Sequence, residues 1–101
     1  MPTYIYHGET VRLKPGRYSN GRLALRLFAV IGEPVATATV NIPEADLADG
    51  EILVKDYSEN EGMLAFLEEN GLVEDTGRVI SSGYVAVPVC KLKGPLVAFD
   101  P

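Results

Sequence analysis

The sequence has very few of the side chains that usually build a catalytic or metal centre. Its 101 residues include one cysteine, Cys90, one histidine, His7, and no tryptophan. A single cysteine excludes an intrachain disulfide and a zinc site made of several cysteines. One histidine among scattered carboxylates has no recognisable metal-ligand spacing. We therefore expect no bound metal and no cofactor.

Long apolar segments and repeats are also missing. The chain has no apolar run of membrane-spanning length, no basic segment followed by an apolar one near Met1, and no internal repeat. We therefore expect a soluble, cytoplasmic protein that does not bind membranes. With 47% apolar and 23% charged residues, the composition is that of one domain over residues 1–101. It leaves open whether the tail, residues 94–101, is ordered or docks as a short strand.

One segment, KDYSENEGMLAFLEENG over residues 55–71, predicts a helix with both ends marked. Ser58 is a candidate N-cap, and Glu61 three residues later completes the pattern of a capping box. An apolar face at helical spacing follows, formed by Met63, Phe66 and Leu67. Gly71 is suited to the positive φ that often ends a helix. We expect this helix over about residues 58–70.

The other apolar runs predict β-strands. They are rich in β-branched and aromatic residues or alternate with polar ones, and they fall at residues 3–6, 9–14, 22–30, 35–42, 51–55, 79–80 and 84–92. Pro15-Gly16, Asn20-Gly21 and Asp75-Thr76-Gly77 are turn signals. Pro88 cannot donate to a ladder, so the last strand should lie at an edge or carry a bulge. The predicted fold is α+β, a twisted, mainly antiparallel sheet of five or six strands packed with one helix.

Charge is distributed very unevenly along the chain. Residues 1–43 hold two acids and five bases, whereas residues 44–75 hold eleven acids and only Lys55, a balance of −10 within a net charge of −5. Such a distribution bears on the choice of partner rather than on the fold. The overall sign disfavours direct binding of nucleic acid, although the bases between Arg12 and Arg26 are numerous enough to form a local basic face.

The acids near the helix are the candidate functional residues. Asp56, Glu59 and Glu61 precede the helix or lie in its first turn, where the helix dipole favours carboxylates. Four further acids lie at or beyond its negative end, where fold stability does not favour them: Glu68, Glu69, Glu74 and Asp75. These seven, with Tyr57 as an aromatic anchor, predict a docking face for a basic surface of a host protein, such as a nucleic-acid-binding protein. The alternative is a solvated face that only confers solubility.

Other readings of the sequence compete with this one. Alternating oxygen-bearing side chains at Asp56, Ser58 and Asn60 are weakly similar to a calcium loop, but a helix start at the same place argues against it. A small thiol enzyme using Cys90 and His7 is a further alternative, although Cys90 lies in an apolar run typical of a buried residue. A third is self-association, including a homodimer, through the strand that contains Pro88 and the tail. We expect a protein that is not an enzyme.

Three blocks of the sequence carry a family resemblance. They are NGRLALRLF (20–28), VKDYSENEG (54–62) with the helix after it, and VEDTG (73–77) followed by residues 83–92. Together they resemble a family of small bacterial, plasmid and phage accessory proteins that is known chiefly as a domain of unknown function. The resemblance covers about residues 9–92 and implies no catalytic residue. It implies a mobile-element setting, in which small acidic proteins often inhibit host defences such as CRISPR nucleases.

Overall fold

The computed structural model describes residues 2–99, whose regular structure is mostly β. The elements in chain order are β1 Tyr4–Tyr6, β2 Glu9–Arg17, β3 Leu23–Ala29, β4 Pro34–Thr37, β5 Glu51–Leu53, a 3₁₀ turn Ser58–Asn60, α1 Met63–Glu69, β6 Val73–Ser82, β7 Val85–Leu92 and a 3₁₀ helix Gly94–Phe99. All strand pairs are antiparallel. The predicted α+β class with antiparallel pairing is therefore confirmed.

The strands form two sheets, so the prediction of one sheet with five or six strands is wrong. One sheet has the order β1-β2-β3-β4 and the other the order β5-β7-β6. Beyond β4 the regular ladder ends: the Ala38 N–H still donates to the Leu25 carbonyl, but the Leu25 N–H donates to the side-chain hydroxyl of Thr39. An isolated bridge between Thr39 and Val54 joins the two sheets. The expected strand over residues 35–42 is thus cut short at Thr37.

Alternation along β2 and β3 places one face of the four-stranded sheet in the core. Val11, Leu25 and Leu27 have no exposed surface. They belong to one apolar cluster with Met63 and Leu67 of α1. Fully burying such a side chain stabilises the fold by about 1.5–3 kcal/mol. The helical periodicity seen in the sequence therefore identified the buried face of the helix correctly.

Two of the three turn signals do not reverse the chain. Pro15-Gly16 lies inside β2, and the reversal comes at residues 18–22, where the Gly21 N–H donates to Tyr18. Pro15 is tolerated because β1 covers β2 only as far as Val11, which leaves this stretch as an edge. Residues 75–77 lie in an irregularity of β6, where the Gly77 N–H donates to Asp75 Oδ1.

Pro88 does not lie at an edge, because β7 is the central strand of its sheet. Its carbonyl still accepts the Val54 N–H at 3.1 Å, and Val79 of β6 is its register partner, but the regular ladder ends on one side and shifts on the other. The ladder with β5 extends only to Leu53 opposite Val89, and β6 shifts register between Asp75 and Val79. Pro88 therefore lies beside the irregularity of β6. That irregularity is on the neighbouring strand and not on β7 itself.

The helix begins later than predicted, and Ser58 is not its cap. Ser58 has φ 56° and lies in the separate 3₁₀ turn, and Gly62 then adopts φ 94° as the N-cap of α1 without a side-chain cap. A Cβ on Gly62 would lie 3.2 Å from His7 Nε2. Glycine is therefore favoured here both by the positive φ and by the close approach of His7. The capping group is Asp56, whose Oδ1 accepts the Leu64 N–H at 2.9 Å.

The end of the helix is as predicted. Gly71 has φ 67°, its N–H donates to Glu68, and the Leu72 N–H donates to Leu67. This pair of bonds is the Schellman pattern, which satisfies carbonyls that the last turn leaves free. The chain then enters β6 at once.

The tail packs on the domain as a helix rather than as a strand. Within the 3₁₀ helix Gly94–Phe99, Leu96 is buried in the main cluster. Arg17 Nη2 donates to the carbonyl of Phe99 at 2.6 Å. The remaining residues of the predicted tail, Asp100 and Pro101, lie outside the described residues.

Replacement of Asp56 by alanine should destabilise the protein. The change leaves the Leu64 N–H without its acceptor, and loss of such a cap costs about 1 kcal/mol. Urea unfolding followed by circular dichroism should show the midpoint falling with an unchanged slope. Glu61→Ala is the matched control, since this exposed acid accepts no hydrogen bond within residues 2–99. Equal effects of the two substitutions would contradict the capping role.

Candidate functional site

The predicted docking residues lie on three consecutive parts of the fold. They are the segment before α1 with Asp56, Tyr57, Glu59 and Glu61, the last turn of α1 with Glu68 and Glu69, and the start of β6 with Glu74 and Asp75. Asp56 and Tyr57 are half-buried, and the other six are exposed. We call these eight residues the acidic face.

Packing of α1 beside β6 brings acids from all three parts towards one buried side chain. Burial raises the pKa of the Cys90 thiol, and the charges of Asp75, Glu68 and Asp56 raise it further. Asp75 is also the direct cross-strand neighbour of Cys90. One acid from each of the three parts thus lies near Cys90, which supports treating the three parts as one region.

Some of these acids have partners within the chain. Asp56 caps α1, and Asp75 holds the irregularity of β6 through Gly77. Glu59 pairs with Lys55, and Glu74 Oε1 lies 3.5 Å from Lys93 Nζ. The hydrogen bond to Lys55 lowers the pKa of Glu59. Exposed pairs of this kind contribute little stability, so a partner can displace them at small cost.

Three acids remain unneutralised: Glu61, Glu68 and Glu69. Within residues 2–99 none of them forms an ion pair or accepts a side-chain hydrogen bond. The last turn of α1 carries no basic residue. Glu68 and Glu69 therefore face the negative end of the helix dipole without compensation.

Tyr57 is placed differently from the acids around it. It packs against the second apolar cluster, which contains Leu53, Val87 and Val89. The Lys55 ammonium lies 5.7 Å from the centre of its ring. Part of the ring is therefore already used inside the protein, and the acids are the more accessible part of the face.

Tyr6 is a neighbour of the acidic face that sequence reasoning missed. Its hydroxyl is buried and has no hydrogen-bond partner within residues 2–99. Burial raises the pKa of Tyr6, and the charges of Asp56 and Glu59 raise it further. No sequence signal links these residues, because the contact depends on β1 lying next to a segment far along the chain.

The structure speaks against a reactive thiol at Cys90. The side chain is fully buried, and desolvation together with nearby carboxylates raises the pKa of the thiol to about 12. It is therefore protonated at neutral pH, whereas the nucleophile in thiol enzymes is the thiolate. His7, the histidine required by that hypothesis, is exposed and stacks on Tyr6 at 4.1 Å between ring centres.

The oxygen-bearing side chains of the predicted calcium-like run are engaged elsewhere. Asp56 caps the helix, and buried Asn60 donates from Nδ2 to the carbonyl of Thr37 at 2.6 Å. In the part of the chain that the structure describes, no group of three His, Cys, Asp or Glu residues is placed to hold a metal ion.

Comparison of the chain with family models, with curated proteins and with solved structures finds no match. The family resemblance of the three sequence blocks therefore stays a prediction. No helix within residues 2–99 has the length and apolar character required to cross a membrane.

The Cys90 thiol should be unreactive in the folded protein. At pH 8, well below its raised pKa of about 12, the group is protonated as well as buried. We expect negligible labelling by an aromatic disulfide reagent over minutes in buffer, and complete labelling at once in denaturing urea. Rapid labelling of the native protein at pH 8 would show an accessible thiolate and would revive the thiol-enzyme alternative.

Proposed function

We propose that this protein is a non-enzymatic accessory protein that binds a basic surface of a host protein through its acidic face. The observation that carries the proposal is the uncompensated pair Glu68 and Glu69 at the C-terminal end of α1. Glu74 and Asp75 extend the same negative charge onto the adjoining strand. A partner supplies the cations that the fold itself omits.

Glu68 and Glu69 destabilise the free helix, and this cost supports a functional role for them. A carboxylate at the negative end of a helix dipole costs about 0.3–1 kcal/mol at low ionic strength. Lysine or arginine is the residue that stability favours there. Lys or Arg side chains of a partner would remove this repulsion on binding, so the same charges that weaken the free helix strengthen the complex.

Electrostatic complementarity of this kind acts chiefly on specificity and on the rate of association. It favours a partner with a dense basic patch, and proteins that bind nucleic acid commonly have one. Carboxylates on a rigid surface resemble phosphates in sign. The proposed partner is therefore a host protein at or near its nucleic-acid site.

The proposed setting is the cytoplasm of a bacterium that carries a phage or another mobile element. The sequence resemblance supports that setting, and inhibition of a host defence nuclease is the specific activity that it suggests. The geometry contributes the surface on which such an inhibitor would act. Self-association is a weaker alternative, because the strand with Pro88 is central and the tail is helical, so neither offers the predicted pairing edge.

Reversal of Glu68 and Glu69 to lysine should abolish partner binding. The double substitution replaces two repelled charges by two that suit the helix end, so the fold should be retained or slightly stabilised. We would capture partners from a bacterial lysate with the tagged protein at low and at moderate salt. The wild type should retain a salt-sensitive partner that the double variant loses by at least about tenfold, the equivalent of roughly 1.4 kcal/mol.

Glu9→Lys with Glu33→Lys is the matched control, since it changes the net charge equally but lies outside the acidic face. This variant should bind as the wild type does. Loss of the partner in both double variants would show that binding depends on the net charge of the protein and not on the acidic face. Capture of the same partner by all three proteins would remove the acidic face as the binding site and leave solubility as its purpose.

A further inference from the structure

The opposite side of the molecule carries a second charged surface with the reverse sign. In the middle of β2 and at the end of β3, the odd-numbered residues Val11, Leu13, Leu25, Leu27 and Ala29 are buried or half-buried on the core side. The even-numbered residues between them face outwards. Arg12 lies directly opposite Phe28, and Lys14 lies directly opposite Arg26. The three cations are exposed and the aromatic ring is half-buried. We call these four residues the outer sheet face.

Within residues 2–99 the side chains of these three cations have no polar partner, whereas every other lysine and arginine except Lys91 has one. Arg17 and Arg22 donate to backbone carbonyls, and Lys55, Arg78 and Lys93 pair with glutamates. Lys91 lies across from Glu51 on one neighbouring strand and from Glu74 on the other. Within residues 2–99, Arg12, Lys14 and Arg26 donate no hydrogen bond and form no ion pair. Lys14 instead lies over Phe28, 5.4 Å from the ring centre.

The arrangement is unfavourable for the isolated sheet. Like charges directly opposite each other on neighbouring strands are destabilising, and Lys14 and Arg26 form such a pair. The acids within residues 1–43, Glu9 and Glu33, form no ion pair with them. As at the end of α1, the fold concentrates charge of one sign without supplying the opposite one.

We propose that the outer sheet face is a second binding site, and that its ligand is a single-stranded nucleic acid. The ligand needs closely spaced negative charges to pair with the three cations. It also needs a flat group that can stack on the aromatic ring among them. Alternate residues of a strand are about 6.8 Å apart, and cross-strand neighbours are about 5 Å apart. These spacings suit successive phosphates of an extended strand, and a base can stack on Phe28, as on other sheet platforms.

The net charge of −5 does not oppose this binding at close range. The acidic face is carried by the segment before α1, the last turn of α1 and the start of β6, and α1 packs on the core side of this sheet. Sheet and helix together separate the two charged surfaces by more than about 8 Å, the screening length at physiological salt. The expectation of no direct nucleic-acid binding came from the summed charge, which is misleading when the two signs lie on opposite sides.

The test is binding of a fluorescent single-stranded oligothymidylate of twenty nucleotides, measured by anisotropy between 50 and 300 mM salt with the full chain. Three phosphate contacts predict that log affinity falls with log salt concentration with a slope of about −2. The triple variant Arg12→Ala, Lys14→Ala, Arg26→Ala should bind at least about tenfold more weakly at the lowest salt and lose most of the slope. Phe28→Leu should weaken binding about fivefold or more while leaving the slope unchanged, because stacking involves no counterion.

The matched control is the triple variant Lys55→Ala, Lys91→Ala, Lys93→Ala, which removes the same number of positive charges elsewhere. It should bind the oligonucleotide as the wild type does, and circular dichroism should show that all variants are folded. The proposal is overturned if the wild type fails to bind at 50 mM salt, or if both triple variants lose binding equally. It is also overturned if the outer sheet face instead binds a glutamate-rich peptide, or mediates association of two copies by light scattering, without binding the oligonucleotide.

Discussion

Burial of one apolar cluster is the interaction on which the rest of this structure depends. An isolated bridge joins the backbones of the two sheets, whereas Leu25 and Leu27 of one sheet and Ile52 and Cys90 of the other share a cluster with α1. A sheet that is apolar on one face must bury that face against another element. The apolar face of α1 packs against both sheets, so that all three elements bury their apolar faces in one cluster.

The position of the charges follows from that packing. Because the helix presents Met63, Phe66 and Leu67 to the core, its exposed positions are Ala65, Glu68 and Glu69. The capping contact from Asp56 orients the start of the helix and leaves Glu61 outside it. The apolar contacts of the helix thus determine which of its positions are exposed, and the acidic residues occupy exposed positions.

The same framework places the two signs of charge on different surfaces. The core side of the four-stranded sheet carries α1, and its outer side carries the unpaired cations. Taken together, the two proposals have the protein contact a basic protein surface and a single-stranded nucleic acid through different surfaces, which is the environment around a nucleic-acid-binding protein. The two proposals nevertheless depend on different residues, and the failure of one leaves the other standing.

Prediction from sequence succeeded where the signal was local and periodic. The buried helix face, the glycine stop at Gly71 and the alternation of β3 each depend on residues a few positions apart. It failed where a distant group supplied the missing interaction. Ser58 and Glu61 had the pattern of a capping box, but Gly62 takes φ 94° and Asp56 provides the cap instead. Pro88 suggested an edge, yet irregular pairing on neighbouring strands lets it lie at the centre of a sheet.

Composition and patterning by themselves determined the class of the fold, the identity of the buried helix face and the concentration of acid around it. These properties depend on which residues are present and on their spacing along one element. Tertiary structure alone decided that there are two sheets and which acids are already engaged. It also decided that Arg12, Lys14 and Arg26 meet on one surface, because strand register and the crossing of distant segments place side chains that sequence separation does not bring together.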